Sequence, residues 1–83
     1  MTNLKSIENE IIHFLVSNIL SEGIDISDQT SLKDLGIDSF AIVEIILFIE
    51  RKYGFVIPDE YLLPENFQTI HSIAQVVFEI EHQ

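Results

Sequence analysis

The sequence predicts an all-α protein, a four-helix bundle with three long helices, one short third helix and a long first loop. Apolar residues recur at steps of three and four in segments 4–20, 39–53 and 69–80, which is the spacing of amphipathic helices. Only residues 55–57 resemble a strand, and three residues before a proline are too few to form one. With 83 residues and no internal repeat, we treat residues 1–83 as one domain.

The first helix is predicted over residues 4–20. Gly23 lies just past its end, where a left-handed residue commonly terminates a helix. The apolar positions that define this helix are Leu4, Ile7, Ile11, Ile12, Phe14, Leu15, Ile19 and Leu20.

A long loop follows from about residue 22 to residue 38, and such loops often carry structure or function. We expect Ile24 and Ile26 to anchor its first half. Thr30 is predicted to cap a short turn that Gly36 ends. Leu32 and Leu35 would attach that turn to the core.

The second helix, predicted over 39–53 and ended by Gly54, is unusually apolar. Nine of the ten residues from Phe40 to Ile49 are apolar, and Glu44 is the exception. At about 100° per residue, one face suits the core, and it consists of Ile42, Ile46, Ile49 and Tyr53. The opposite side carries Phe40, Ala41, Leu47 and Phe48 around Glu44. Either other segments cover these side chains or they bind partners, and the shortness of the chain favours partner binding.

The last third contains one short and one long helix. Residues 55–57 are interpreted as a buried connector, and Pro58-Asp59-Glu60 is a typical start for a short third helix that Pro64 limits. Thr69 is predicted to cap the last helix. Its core face consists of Ile70, Ile73, Ala74, Val77 and Ile80.

Composition excludes several functions. Fourteen acidic residues against four basic ones give a net charge of −10, which disfavours nucleic acid and anionic membranes and favours partners with basic surfaces. Without Cys there is no disulfide or thiolate metal site. No apolar segment reaches the roughly 20 residues of a membrane span, and residues 1–5 do not resemble a signal peptide. We therefore expect a cytoplasmic monomer without stable membrane insertion.

The chain also lacks the residues of a self-contained catalyst or a metal centre. The nucleophile-elbow pattern of hydrolases, the EF-hand loop and the glycine-rich phosphate loop are all absent. His13, His71 and His82 are scattered along the chain, and we interpret them as solvent-facing. No catalytic residue and no metal ligand is predicted.

The run of residues 30–40, Thr-Ser-Leu-Lys-Asp-Leu-Gly-Ile-Asp-Ser-Phe, is the most informative motif. It places Ser39 at a helix start directly after Asp38. A serine there can be an ordinary N-cap, but this whole run resembles the attachment site of the acyl carrier protein family. The resemblance implies that Ser39 carries a covalent 4'-phosphopantetheine arm derived from coenzyme A. Asp38 would flank the site, either as a helix cap or as a contact for the metal of the transferase.

The resemblance covers nearly the full chain and implies a carrier that is not an enzyme. Its other elements are Ile57-Pro58-Asp59-Glu60 and the helix after Thr69. The implied partners are a phosphopantetheinyl transferase and acyl-loading ligases, synthases or transferases. The residues assigned to partner binding are Phe40, Ala41, Glu44, Leu47, Phe48, Asp59 and Glu60. An acyl cargo would be sheltered by Ile42, Ile46, Tyr61, Leu62 and Ile73.

Departures from the family pattern favour a dedicated pathway over ordinary fatty acid synthesis. Phe40 stands where Leu is frequent, Ala41 stands where an acid is usual, and Arg51 and Lys52 replace acids at the helix end. We first expect a carrier of acyl intermediates in a specialised fatty-acid, polyketide or related pathway. The alternatives are an aminoacyl or peptidyl carrier of a nonribosomal-peptide-type pathway and, in another class, an unmodified helical interaction module.

Overall fold

Three α-helices form the protein in the computed structural model, which describes residues 3–20 and 26–82. They are α1 (Leu4–Asn18), α2 (Ser39–Tyr53) and α3 (Ile70–Glu81). Short 3₁₀ turns occupy Lys33–Leu35, Asp59–Tyr61 and Pro64–Phe67. No strand occurs in the described ranges, so the all-α class is confirmed, although two 3₁₀ turns replace the predicted short third helix.

Helix α1 begins at a polar cap and packs one face into the core. Asn3 Oδ1 accepts a hydrogen bond from the N–H of Ser6 at 2.8 Å, which satisfies one free amide of the first turn. Ile7, Ile11 and Leu15 are fully buried. The helix ends at Asn18, two residues earlier than predicted. Gly23 and Ile24 lie outside the described residues.

The loop before α2 is held by backbone contacts to the start of α3. The N–H of Leu32 donates to the carbonyl of Gln68 at 2.8 Å, and the Leu32 side chain is buried. Gly36 ends the 3₁₀ turn with φ of 78°, a left-handed conformation that favours glycine. The predicted cap at Thr30 is wrong. Its Oγ1 accepts from the N–H of Ser27 at 3.1 Å and closes an earlier turn.

Helix α2 spans the predicted residues, but its buried face is rotated from the predicted one, and only Ile49 belongs to both. Ala41, Ile45 and Ile49 are buried, whereas Ile42 and Ile46 are only half-buried. A helix that is apolar on nearly every side has a weak periodic signal. Its orientation is therefore set by how α1 and α3 pack against it.

The connector after α2 is only partly buried. Val56 is 77% exposed, so the interpretation of residues 55–57 as a buried connector is wrong for its middle residue. Ile57 is buried, and its N–H donates to Glu50 Oε2 at 2.9 Å. This bond directs the Glu50 carboxylate to the backbone.

Helix α3 begins at the predicted cap and closes the core. Thr69 Oγ1 accepts from the N–H of Ser72, and Ser72 Oγ accepts from the N–H of Thr69, both at 3.0 Å, which is a reciprocal capping box. The core residues of α3 are Ile70, Ile73, Ala74, Val76 and Val77. In the described part of the chain, no helix is long and apolar enough to cross a membrane.

Candidate functional site

Ser39 is the first residue of α2 and its side chain is exposed. The cap of this helix is Asp38, whose Oδ1 accepts a hydrogen bond from the N–H of Ala41 at 3.0 Å. The interpretation of Ser39 as an N-cap is therefore wrong. Asp38 holds the helix start, and the neighbouring hydroxyl has no structural hydrogen bond among the described residues, so it is available to react.

An open groove of about 840 Å³ begins at Ser39 and runs between the first loop, α2 and the segment before α3. Most of its lining surface is apolar. The lining residues are Ser31, Leu32, Lys33, Ile37, Asp38, Ser39, Ile42, Ile46, Leu62, Leu63, Pro64, Phe67, Gln68 and Thr69. We call this space the arm groove. A flexible group attached to Ser39 could extend into it.

The arm groove contains three of the five residues predicted to shelter a cargo. Ile42, Ile46 and Leu62 line it. Tyr61 and Ile73 are not among the lining residues, and Ile73 is fully buried in the core, so their part in sheltering a cargo stays a prediction. The rotation of α2 explains why Ile42 and Ile46 face the groove and not the centre of the core.

Helix α2 presents an exposed apolar stripe that starts beside Ser39. Phe40 is 74% exposed, Val43 53% and Leu47 45%. These three residues, which we call the α2 stripe, lie on one side of the helix at steps of three and four. Ala41 does not belong to this surface, because it is buried, and its assignment to partner binding is wrong.

Phe48 is also less available to a partner than the sequence suggests. Its ring stacks on Phe14 of α1 with the ring centroids 4.3 Å apart, and it is half-buried. A groove of about 410 Å³ between α1 and α2 passes Phe48 and Glu44. Glu44 is thus the half-buried acid of this surface, beside the α2 stripe.

Asp59 and Glu60 are exposed in the 3₁₀ turn Asp59–Tyr61. They do not line the arm groove, but Leu62 and Leu63, which follow in the chain, do. These acids are therefore close in sequence to the groove wall but do not form it. Their role in partner binding stays a prediction.

One histidine is not solvent-facing as predicted. His71 Nδ1 lies 2.6 Å from Glu8 Oε2, and Glu8 is only 4% exposed. Asp28 Oδ2 lies 3.8 Å from the same ring nitrogen. The sequence does indicate that Glu8 is buried, because position 8 falls on the core side of α1 with Leu4, Ile11 and Leu15.

Sequence reasoning also missed Val43 and Leu63. Val43 was counted only as part of a uniformly apolar run, because periodicity could not separate the exposed and buried sides of α2. Leu63 lies in an irregular segment where no periodic pattern applies. Both residues are exposed, Val43 in the α2 stripe and Leu63 in the arm groove. A single exposed apolar residue indicates a binding surface only when its spatial neighbours are known.

Comparison with known proteins agrees with this geometry. The family model "Phosphopantetheine attachment site" matches residues 10–77. Aminoacyl carrier protein 1 of Bradyrhizobium diazoefficiens is 34% identical over 74 residues, which cover 86% of this chain and 81% of that protein. The anthracycline acyl carrier protein DauA of Streptomyces sp. (strain C5) is 40% identical over 53 residues, 64% of this chain and 61% of that protein.

A solved structure shows the same fold. It is the carrier protein in the complex of Bradyrhizobium japonicum glycine:[carrier protein] ligase with glycylated carrier protein. The TM-score is 0.70 at 29% identity, and the match covers 88% of this chain and 96% of that one.

The exposed serine next to a capping aspartate fits the group that this family carries, 4'-phosphopantetheine in covalent attachment. Carriers of this kind present bound intermediates to enzymes and are not enzymes themselves. On the extent of the family match and the likeness of fold, the chain belongs to the phosphopantetheine-dependent carrier protein family.

Proposed function

We propose that this chain is a specialised aminoacyl carrier that holds an amino acid as a thioester on a 4'-phosphopantetheine arm attached to Ser39. The observation that carries the proposal is the similarity to aminoacyl carrier protein 1 over most of both chains. A second aminoacyl carrier protein of the same organism is also similar, at 23% identity. These two similarities support the aminoacyl hypothesis over the acyl hypothesis that the sequence pattern first favours.

The attachment step needs only an exposed nucleophile. Ser39 Oγ forms a bond to the phosphorus that bears the pantetheine of coenzyme A, the pyrophosphate P–O bond breaks, and adenosine 3',5'-bisphosphate leaves. A phosphopantetheinyl transferase supplies the base that takes the hydroxyl proton. When bound, the arm supplies a terminal thiol that forms the thioester. The chain itself contributes the exposed position of Ser39 and the fixed helix start at Asp38.

A loading enzyme is the second implied partner. The similar carrier of Bradyrhizobium japonicum is bound by a glycine:[carrier protein] ligase in its solved complexes. We propose an ATP-dependent ligase of this class for the present chain, which would act on a monomeric carrier. Its docking surface would be the α2 stripe with Glu44 beside it, since exposed aromatic residues are typical binding anchors.

One structural feature favours the acyl alternative. The wall of the arm groove formed by Ile42, Ile46, Leu62 and Phe67 is apolar, and such a wall would shelter a hydrocarbon chain. An amino acid has little need of it. The hypothesis of an unmodified interaction module is the least supported, because Ser39 is exposed and proteins of this family carry the phosphopantetheine arm.

Intact mass of the protein purified from its native host tests the proposal. The expected mass is that of the chain plus one phosphopantetheinyl group, with a further increment equal to an aminoacyl group. An increment equal to a fatty or polyketide acyl group would replace the proposal by its alternative. In vitro, coenzyme A and a broad-specificity transferase should add one arm to the wild-type chain and none to Ser39→Ala.

The docking surface is tested by truncating one exposed aromatic side chain. Phe40→Ala should lower kcat/KM of the loading ligase about tenfold or more, because an anchor residue can contribute about 2 kcal/mol to binding. Phe40 is so exposed that its removal leaves the core intact. The matched control is Val56→Ala, a truncation at a 77% exposed apolar position on the connector after α2.

The α2 stripe is the docking surface only if Phe40→Ala lowers kcat/KM of the ligase more than Val56→Ala does. Equal loss in Phe40→Ala and Val56→Ala would show that the α2 stripe is not the docking site. Glu44→Gln should mainly slow association at low salt, since charges at the rim of an interface act on the association rate. If activity vanished with modest salt and ignored Phe40, docking would be electrostatic and the stripe would have no role.

A further inference from the structure

Two carboxylates and one imidazole converge on the side of the protein formed by α1, α3 and the first loop. Glu8 comes from α1, Asp28 from the loop and His71 from the first turn of α3. One oxygen of each acid and one ring nitrogen of the histidine lie within 4.8 Å of one another. None of the three residues belongs to the arm groove.

The environment of this cluster is unusual for its charge. Glu8 is 4% exposed and lies on the side of α1 that packs into the core. A buried carboxylate is costly unless a cation or several hydrogen bonds compensate it. Among residues 3–20 and 26–82, no lysine or arginine pairs with Glu8 or Asp28, and His71 is the only basic side chain in contact. With a neutral imidazole the cluster carries two negative charges.

We propose that Glu8, Asp28 and His71 bind one borderline divalent cation, with Zn²⁺ the best match. Zinc accepts carboxylate oxygen and imidazole nitrogen together, whereas Mg²⁺ prefers six oxygen ligands, several of them water. Two carboxylates and a neutral imidazole balance the charge of a divalent ion. A water molecule fills the fourth position of the tetrahedron.

The two distances to the His71 ring nitrogen require only a small adjustment. Ligand atoms about 2.1 Å from a tetrahedral ion lie about 3.4 Å from one another. The Asp28 Oδ2–His71 Nδ1 distance is 3.8 Å, which is close to that value. The Glu8 Oε2–His71 Nδ1 distance of 2.6 Å is that of a hydrogen bond. The ion would take the place of the proton between these two atoms, the neutral imidazole would carry its single proton on Nε2, and the two ligand atoms would separate by roughly 0.8 Å.

The backbone already holds the three segments together. The N–H of His71 donates to the carbonyl of Asp28 at 2.8 Å, and Ser31 pairs with Thr69 in an isolated bridge. An ion at the cluster would join α1 to this arrangement. Since Ser31 and Leu32 line the arm groove, it would also stabilise one wall of that groove.

Calorimetric titration of the unmodified chain with Zn²⁺ tests the site. We expect one equivalent to bind, and Asp28→Asn and Glu8→Gln to weaken binding tenfold or more. The matched controls are Asp34→Asn, an exposed acid of the neighbouring turn, and His13→Gln, an exposed histidine. Both should bind Zn²⁺ like the wild type. Millimolar Mg²⁺ should not compete.

Thermal unfolding gives a second readout that does not depend on arm attachment. Zn²⁺ should raise the Tm of the wild type by several degrees and leave that of Asp28→Asn unchanged. Asp28 is a half-buried loop residue, so we expect Asp28→Asn to fold and to test Zn²⁺ binding even if Glu8→Gln fails to fold. The proposal is wrong if Zn²⁺ does not bind, if Asp28→Asn binds it equally well, or if replacing His13 or His82 abolishes binding. In each of those cases Glu8 and His71 form a hydrogen-bonded pair only.

Discussion

Replacing Asp38 by alanine removes the side chain that caps α2, because its Oδ1 accepts the hydrogen bond from the N–H of Ala41 at 3.0 Å. Loss of an N-cap costs about 1 kcal/mol of the free energy of unfolding, within a range of about 0.5–2. Helix α2 supplies Ala41, Ile45 and Ile49 to the core, so this cost falls on the whole domain. For a domain of this size the Tm should drop by about 4–8 °C.

Two further variants separate stability from chemistry. Asp38→Asn keeps the cap, because asparagine is as good an N-cap as aspartate, and its Tm should stay near that of the wild type. Ser39→Ala removes an exposed hydroxyl without a structural hydrogen bond, so the free energy of unfolding should change by less than about 0.5 kcal/mol. Arm attachment, followed by mass, should be absent in Ser39→Ala only.

Asp38→Asn should nevertheless accept the arm more slowly than the wild type. The side chain is exposed, and only its Oδ1 is used by the cap, so the charged group remains available to the metal of a transferase. The reasoning is refuted if Ser39→Ala loses as much stability as Asp38→Ala, because Ser39 would then be the cap. It is equally refuted if an arm appears on Ser31 or any other residue of Ser39→Ala.

Three other outcomes are expected. Burial, helped by the negative charges of Glu10 and Glu81, raises the pKa of Tyr53 from 10.0 to about 12. The contribution of Tyr53 to the free energy of unfolding should therefore be fully present below pH 10 and be lost as the pH rises through 12. Tyr53→Phe should abolish that fall and keep or raise the Tm, since the hydroxyl is buried without a partner among the described residues; an unchanged alkaline melting curve would contradict this. Added NaCl should raise the Tm by screening a net charge of −10, and millimolar MgCl₂ should do so at lower concentration; a Tm indifferent to both would show that the acids do not strain the fold. Loading a medium-length acyl chain should shift the NMR signals of Ile42 and Ile46, and shifts confined to the neighbours of Ser39 would place the cargo in solvent.

Local sequence was enough to predict the three long helices and most of their ends, although α1 ends two residues early and two 3₁₀ turns replace the predicted short helix. The cap at Thr69, the left-handed Gly36 and Gly54, and the start of α2 at residue 39 all follow from short-range backbone chemistry, which a few neighbouring residues decide. The attachment motif is also local, since it needs only an exposed serine after a turn. The resemblance carried by residues 30–40 is accordingly confirmed at the level of the family.

The sequence by itself thus determined the helical class, the carrier family and the serine expected to hold the arm. Tertiary structure decided which side of α2 is buried, because an almost uniformly apolar helix leaves its rotation to the packing of α1 and α3. As a result, Ala41 lies in the core, Phe48 stacks on Phe14, and Val43 is exposed. It also joined Glu8 to His71, 63 positions apart in the chain, since contacts at that separation depend on how the helices pack and not on any local pattern.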